Sequence, residues 1–160
     1  MTQNSNLSGN QRRKMKSASR LYAVQALFQM EHSGQTIEAV SQEFLNYRFG
    51  ETVDEAQLED GDTDHFRQIV QHAVNHQAAI DQLTDRALVA KWPLGRIDPT
   101  LRAVFRAAGA EIVEMDTPPK VVIKEYVDVV AAFFPDGKEA NFSNAVIDHM
   151  AKEIKPEAFA

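Results

Sequence analysis

The chain has 160 residues, enough for one domain with a real core, and its 44% hydrophobic and 25% charged residues are those of an ordinary soluble globular protein. It contains no cysteine, which excludes disulfides, thiol catalysis and cysteine-ligated metal centres; its longest apolar run, VVAAFF at 129–134, is far short of a membrane span, and no secretory signal pattern opens it, so cytoplasmic residence is the default expectation. The formal net charge of −6 is unevenly divided: residues 1–20 carry +5, from Arg12, Arg13, Lys14, Lys16 and Arg20, and residues 21–160 carry −11.

Residues 1–11 are small, polar and aperiodic and read as a disordered tail. From Ser17 the pattern turns helical, with Leu21, Val24 and Phe28 on one face and Ala23, Leu27 and Met30 on the other, so that apolar residues nearly surround a buried helix. Gly34 stops it, and Thr36 caps a second helix carrying Ile37, Val40, Phe44 and Leu45. The segment 50–64 has seven acids and no base, and its charge density predicts a solvated loop. A long helix follows from Asp62 or Thr63 through Phe66, Ile69, Val70, Ala73, Val74 and Ile80, continuing or kinking towards Val89 until WPLGRIDP breaks it. Asp98 and Pro99 then read as an N-cap and first helical residue, ahead of a stripe of Leu101, Val104, Phe105, Ala108, Ile112 and Met115. DTPP at 116–119 opens another helix with Val122, Tyr126, Val129, Val130 and Phe133, and PDG at 135–137 turns the chain into a last one with Phe142, Ala145, Val146, His149 and Met150. The expected fold is all-α, a single domain of six or seven helices over residues 12–155, with 156–160 as a short tail.

Catalytic chemistry finds no support. There is no Gly-x-Ser-x-Gly elbow and no phosphate-cradling loop among the seven glycines, and a hydrated acidic loop does not raise a carboxyl pKa as acid catalysis requires. His65, His72 and His76 align on the third helix, but HAVNH has Ala73 where the zinc-hydrolase pattern has glutamate, and no third ligand is in view. The expectation is therefore a solvated flank with no metal or cofactor, and a packed histidine at position 149. The basic segment is different. Cations at a helix N-terminus oppose the macrodipole, and an anion there relieves the conflict, so nucleic acid is the favoured ligand over an inert tail.

Four stretches, SRLYAVQALFQ behind the basic cluster, LRAVFRAAGAEI, PPKVVIKEYVDVV and NFSNAVIDHMA, resemble the NusB family of bacterial transcription antitermination factors, in the family's order over residues 12–152. The resemblance implies an all-α protein of two small helical bundles without catalytic activity. It also implies binding to boxA-type single-stranded nascent RNA, a partner in NusE, a small-subunit ribosomal protein, and a place in the RNA polymerase antitermination complex on ribosomal RNA operons. Carried over position by position, it implies RNA contacts from Arg12, Arg13, Lys14, Lys16 and Arg20, with Phe28, Lys138 and Phe142 bordering the same surface, and partner contacts near Leu101 and Arg102. The cations begin ahead of Arg20 and SAS interrupts them, whereas the family often runs arginines directly into the helix. Two alternatives stand beside this reading: the similar domain at the N-terminus of RNA cytosine methyltransferases, of which this chain would be a fragment, and a helical adaptor that binds only protein.

Overall fold

A computed structural model of the chain describes residues 8–53, 56–57, 59–88 and 97–160. Seven α-helices occur among them: α1 (Gly9–Ser33), α2 (Ile37–Glu43), α3 (Thr63–Asn75), α4 (Gln77–Leu88), α5 (Pro99–Glu114), α6 (Pro119–Phe133) and α7 (Lys138–Ile154). A π-helical turn over Phe44–Arg48 extends α2, and a 3-10 turn over Pro156–Phe159 follows α7. No described helix is long and apolar enough to cross a membrane.

The ends of these helices follow from local chemistry. Ser8, Thr36, Asp62 and Asp98 each accept a backbone N–H of the first turn that follows, satisfying a donor the helix leaves unpaired. Gly34, at φ 70°, adopts the left-handed conformation and returns its N–H to Met30 O, closing α1. The third helical run breaks at His76, whose φ of −116° lies outside the helical range, so α3 and α4 are two helices meeting at a kink.

The apolar stripe of α5 lies at the centre of one continuous core: Val104, Phe105, Ala107, Ala108, Ala110 and Ile112 are all fully buried. Helix α5 is packed by α1, α3, α4, α6 and α7, and α6 packs extensively on α7. The β-branched run of α6 is helical because Val122, Tyr126, Val129 and Val130 recur at 3.6-residue spacing and are buried together.

Five expectations need correction. Helix α1 starts at Gly9, so the basic residues lie on helix rather than on a tail, and residues 1–7 fall outside the described residues. The acidic segment contains a small antiparallel hairpin, Thr52–Val53 with Ala56–Gln57. It is also anchored: Glu59 O accepts Tyr22 Oη at 2.7 Å, and Asp62 N donates to Ser19 Oγ at 2.6 Å. The C-terminal residues are not a free tail, since Phe159 packs against the core. On α7 the buried face is Ala140, Ser143, Val146, Ile147, Met150 and Ala151, while His149 is 56% exposed beside Glu153. The buried arc of α7 is thus rotated away from His149 and Ala145 and includes the small side chains at 140, 143 and 151.

The close packing of α5 on α4 depends on Gly109, where an added Cβ would lie 2.6 Å from Ile80 Cγ2. Alanine has the higher helix propensity, by about 1 kcal/mol. Ile80 is 1% exposed and β-branched, so it cannot move aside without repacking the core. Gly109→Ala is expected to lose about 1–3 kcal/mol in urea denaturation despite the gain in propensity; a stabilised variant would show that this contact is loose.

Candidate nucleic-acid interface

The first turns of α1 present Arg12, Arg13, Lys14 and Lys16 to solvent, while Met15, Ser19 and Arg20 on the opposite side are buried. Met15 and Ser19 follow the inward arc and tie α1 to the segment before α3, where Asp62 N donates to Met15 O at 3.3 Å and to Ser19 Oγ. Arg13, Lys14 and Lys16 form no ion pair with the described residues. The first turn of α1 contains no acid.

Arg20 belongs to a different structure. It is 4% exposed, and its guanidinium meets the Glu111 carboxylate side on, Nε at 3.0 Å from Oε1 and Nη2 at 2.7 Å from Oε2, while Nη1 reaches Glu125 Oε1 at 2.6 Å. Glu111, fully buried on α5, also accepts Tyr126 Oη from α6 and Thr117 Oγ1 from the α5–α6 turn, both at 2.8 Å. His65 of α3 places Nε2 3.3 Å from Glu111 Oε2, an electrostatic contact rather than an aligned hydrogen bond. Burial pushes the Glu111 carboxyl up, but the contacts from His65 and Arg20 and the attraction of their charge outweigh it and hold it well below the ordinary carboxylate range. Burial and the adjacent carboxylate together raise Tyr126 well above its ordinary value, so it remains a donor. The expectation that Arg20 touches RNA is therefore set aside: its donors face carboxylates inside the protein.

Two grooves run along the exposed stripe of α1. From Lys14, residues Ala18, Leu21, Gln25, Phe28 and His32 fall within about 40° of one line, and all are exposed or half-buried. Near the basic end the stripe and α6 enclose a groove of about 490 Å³ that Arg13, Lys14, Leu21, Asp128 and Val129 help to line. Further along, a second groove of about 480 Å³ is bordered by Phe28, His32, Arg48 and Phe133. Phe28 stacks on His32 with ring centres 4.2 Å apart. Of the acids beside the first groove, Glu125 is met by Arg20 and Ser17 Oγ, each at 2.6 Å, Asp128 by Lys124 at 2.9 Å, and Glu59 by the neutral Gln11 Nε2 at 2.6 Å. Its basic end is left positive.

The remaining candidates lie apart from these grooves. Lys138 is exposed at the start of α7, and Phe142 is half-buried with its ring 6.3 Å from Phe105; neither lines either groove. Leu101 is 6% exposed and belongs to the core, so it offers a partner no surface, because its position at the start of the α5 stripe turns it inward. Arg102 is half-buried and bonds to Glu31 through Nε at 2.7 Å, clamping α5 to α1. Beside it, Arg106 grips Asp81 with two hydrogen bonds of 3.0 and 2.9 Å. Among the described residues, one group of side chains is compact enough to hold a metal: His72, His76 and Glu114.

A family model described as the NusB family matches residues 17–152. Transcription antitermination protein NusB from Granulibacter bethesdensis is 40% identical over 157 residues, covering 94% of this chain and 96% of that protein. Its counterpart from Maricaulis maris is 41% identical over 149 residues, 92% of each. Among solved structures, T. maritima NusB superposes with a TM-score of 0.72 at 26% identity, covering 90% of this chain and 96% of that one. A chain from a crystal structure of antitermination factors NusB and NusE in complex with dsRNA shares the fold, with a TM-score of 0.70 at 22% identity over 88% of this chain and 98% of that one.

Removing the Glu111 charge leaves Arg20 buried without its main counter-ion, and Glu111→Gln is expected to lose about 3–5 kcal/mol of unfolding free energy at pH 7. Because the folded-state pKa is depressed, this contribution is complete above the unfolded value of about 4.3 and is lost as pH falls below it. Denaturation of both proteins from pH 7 to 3 should show their stability difference shrinking below about pH 4.3; a constant difference would mean the charge is not what matters.

Proposed function

The chain belongs to the NusB family of transcription antitermination proteins, a family without catalytic activity, and on that premise we propose how it engages RNA. Arg12, Arg13, Lys14 and Lys16 take the phosphates of single-stranded boxA-type RNA, and the strand follows the exposed stripe of α1 past Leu21 and Gln25 to Phe28. Phe28, backed by His32, is the surface on which a base stacks. The observation that carries this reading is the charge arrangement at the head of α1: exposed cations, of which Arg13, Lys14 and Lys16 form no ion pair with the described residues, beside a groove in which Glu125 and Asp128 are already paired. Lys138 and Phe142 are assigned no direct part in this track.

NusE is the proposed protein partner, and the pair acts within the RNA polymerase antitermination complex on ribosomal RNA operons in the cytoplasm. A body carrying −11 beyond residue 20 repels RNA away from the basic end. A ribosomal protein, itself an RNA binder, supplies the missing positive surface. Its contact on this chain lies on the helices around 98–130, through surface residues rather than the buried Leu101.

Salt dependence measures the phosphate contacts directly. Four contacts to a single strand predict a log–log slope of affinity against salt of about −2.8, at about −0.7 per contact. Replacing Arg12, Arg13, Lys14 and Lys16 with glutamine should flatten the slope towards zero in fluorescence anisotropy titrations; an unchanged slope would place the RNA elsewhere. Phe28→Leu keeps apolar packing and removes the aromatic face, and should weaken RNA binding by about 1–3 kcal/mol at an unchanged melting temperature. Undiminished affinity would exclude stacking there.

A further inference from the structure

His72 and His76 stand one turn apart on the end of α3, their ring centres 6.3 Å apart. An i, i+4 histidine pair is a chelating arrangement that lacks a third ligand in its own segment. The fold supplies one from α5. Glu114 Oε1 lies 3.0 Å from His76 Nε2, and one ligand atom from each of His72, His76 and Glu114 can be chosen so that all lie within 4.8 Å of one another. Ligands about 2.0–2.1 Å from a tetrahedral ion are about 3.3 Å apart. The gap closes by rotating side chains that are only partly packed: His76 is 40% and Glu114 35% exposed.

The placement of Glu114 gives an independent reason for a cation here. It occupies the last turn of α5, which contains no base, and a carboxylate at that end of a helix is disfavoured by the macrodipole. Glu111, in the same turn, is compensated by Arg20. Glu114 has His76, and a bound cation would answer both its carboxylate and the helix end.

We propose that His72, His76 and Glu114 form a binding site for a divalent transition-metal ion of the zinc type, with water completing the shell. Two imidazole nitrogens and one carboxylate oxygen suit zinc, cobalt or nickel better than magnesium or calcium, which prefer all-oxygen shells. Ala73 stands where a zinc hydrolase carries its glutamate, so the site binds rather than hydrolyses. The ion would join the end of α3 to the end of α5, at the kink where α3 gives way to α4.

The test uses the full chain without an affinity tag, stripped with chelator and titrated with zinc chloride by calorimetry, with cobalt(II) absorption reporting the ligand set. One ion per chain is expected. His72→Asn, His76→Asn and Glu114→Gln should each weaken binding by at least the 10- to 100-fold that loss of an outer-shell partner alone costs. His32→Asn and His149→Asn should leave it unchanged. Circular dichroism melting without metal confirms that each variant is folded, and Glu114→Gln, the substitution least able to disturb packing, decides the matter if a histidine variant is not. Absence of one-to-one binding by the parent chain, undiminished binding by folded ligand variants, or equal losses in the controls would overturn the proposal.

Discussion

A carboxylate with no access to water fixes the arrangement of this molecule. Glu111 receives Arg20 from α1, Tyr126 from α6, Thr117 from the turn between α5 and α6, and the electrostatic contact of His65 from α3. A buried charge tolerates few alternatives: moving any one donor by an ångström or two leaves the anion short of partners, at a cost of several kcal/mol. The hydrophobic core sets which faces turn inward, but apolar contacts alone permit neighbouring helices to slide. The Glu111 cluster selects one register of α1, α3 and α6 against α5. Through Arg20, which also reaches Glu125, it fixes the rotation of α1 about its own axis.

That rotation is what connects fold to function. With Arg20 turned inward, Arg13 and Lys16 border one side of α1 and Lys14 heads the stripe that continues through Leu21 to Phe28. The basic segment therefore divides its labour: its last arginine neutralises an internal anion, and the cations before it remain available to an external one. The same arginine also pairs with Glu125, an acid beside the groove, so the internal cluster also shapes the potential that RNA would meet.

Much of this was legible in the sequence. The stripes of α5 and α6 and the caps at Thr36 and Asp98 follow from periodicity and capping chemistry, and the all-α class follows from them. The role of Glu111 was legible in principle, since it falls within about 20° of Val104 on the buried arc of α5, and an acid on such an arc demands a counter-ion. The counter-ion was harder to see, because Arg20 reads as the end of a basic run until the burial of its neighbours separates it from Lys16. Other features depended on tertiary packing. His149 satisfies the apolar period of α7 but lies off the buried arc, which Ala140, Ser143 and Ala151 share with Val146, Ile147 and Met150. The third member of the histidine cluster sits on another helix, out of reach of any local pattern. Anchoring of the acidic segment came from Tyr22 and Ser19, far away in the chain.

The central claim is that Arg20 serves the fold and the cations before it serve the ligand. It is tested most directly by replacing Arg20 and Glu111 together with methionine, which removes the buried charges as a pair and avoids stranding either one, and then measuring the salt dependence of boxA-RNA binding by the folded double variant. The account predicts a slope equal to that of the parent protein, whatever the change in melting temperature. A slope shallower by about 0.7, the share of one phosphate contact on a single strand, would show that Arg20 reaches the RNA and would contradict it.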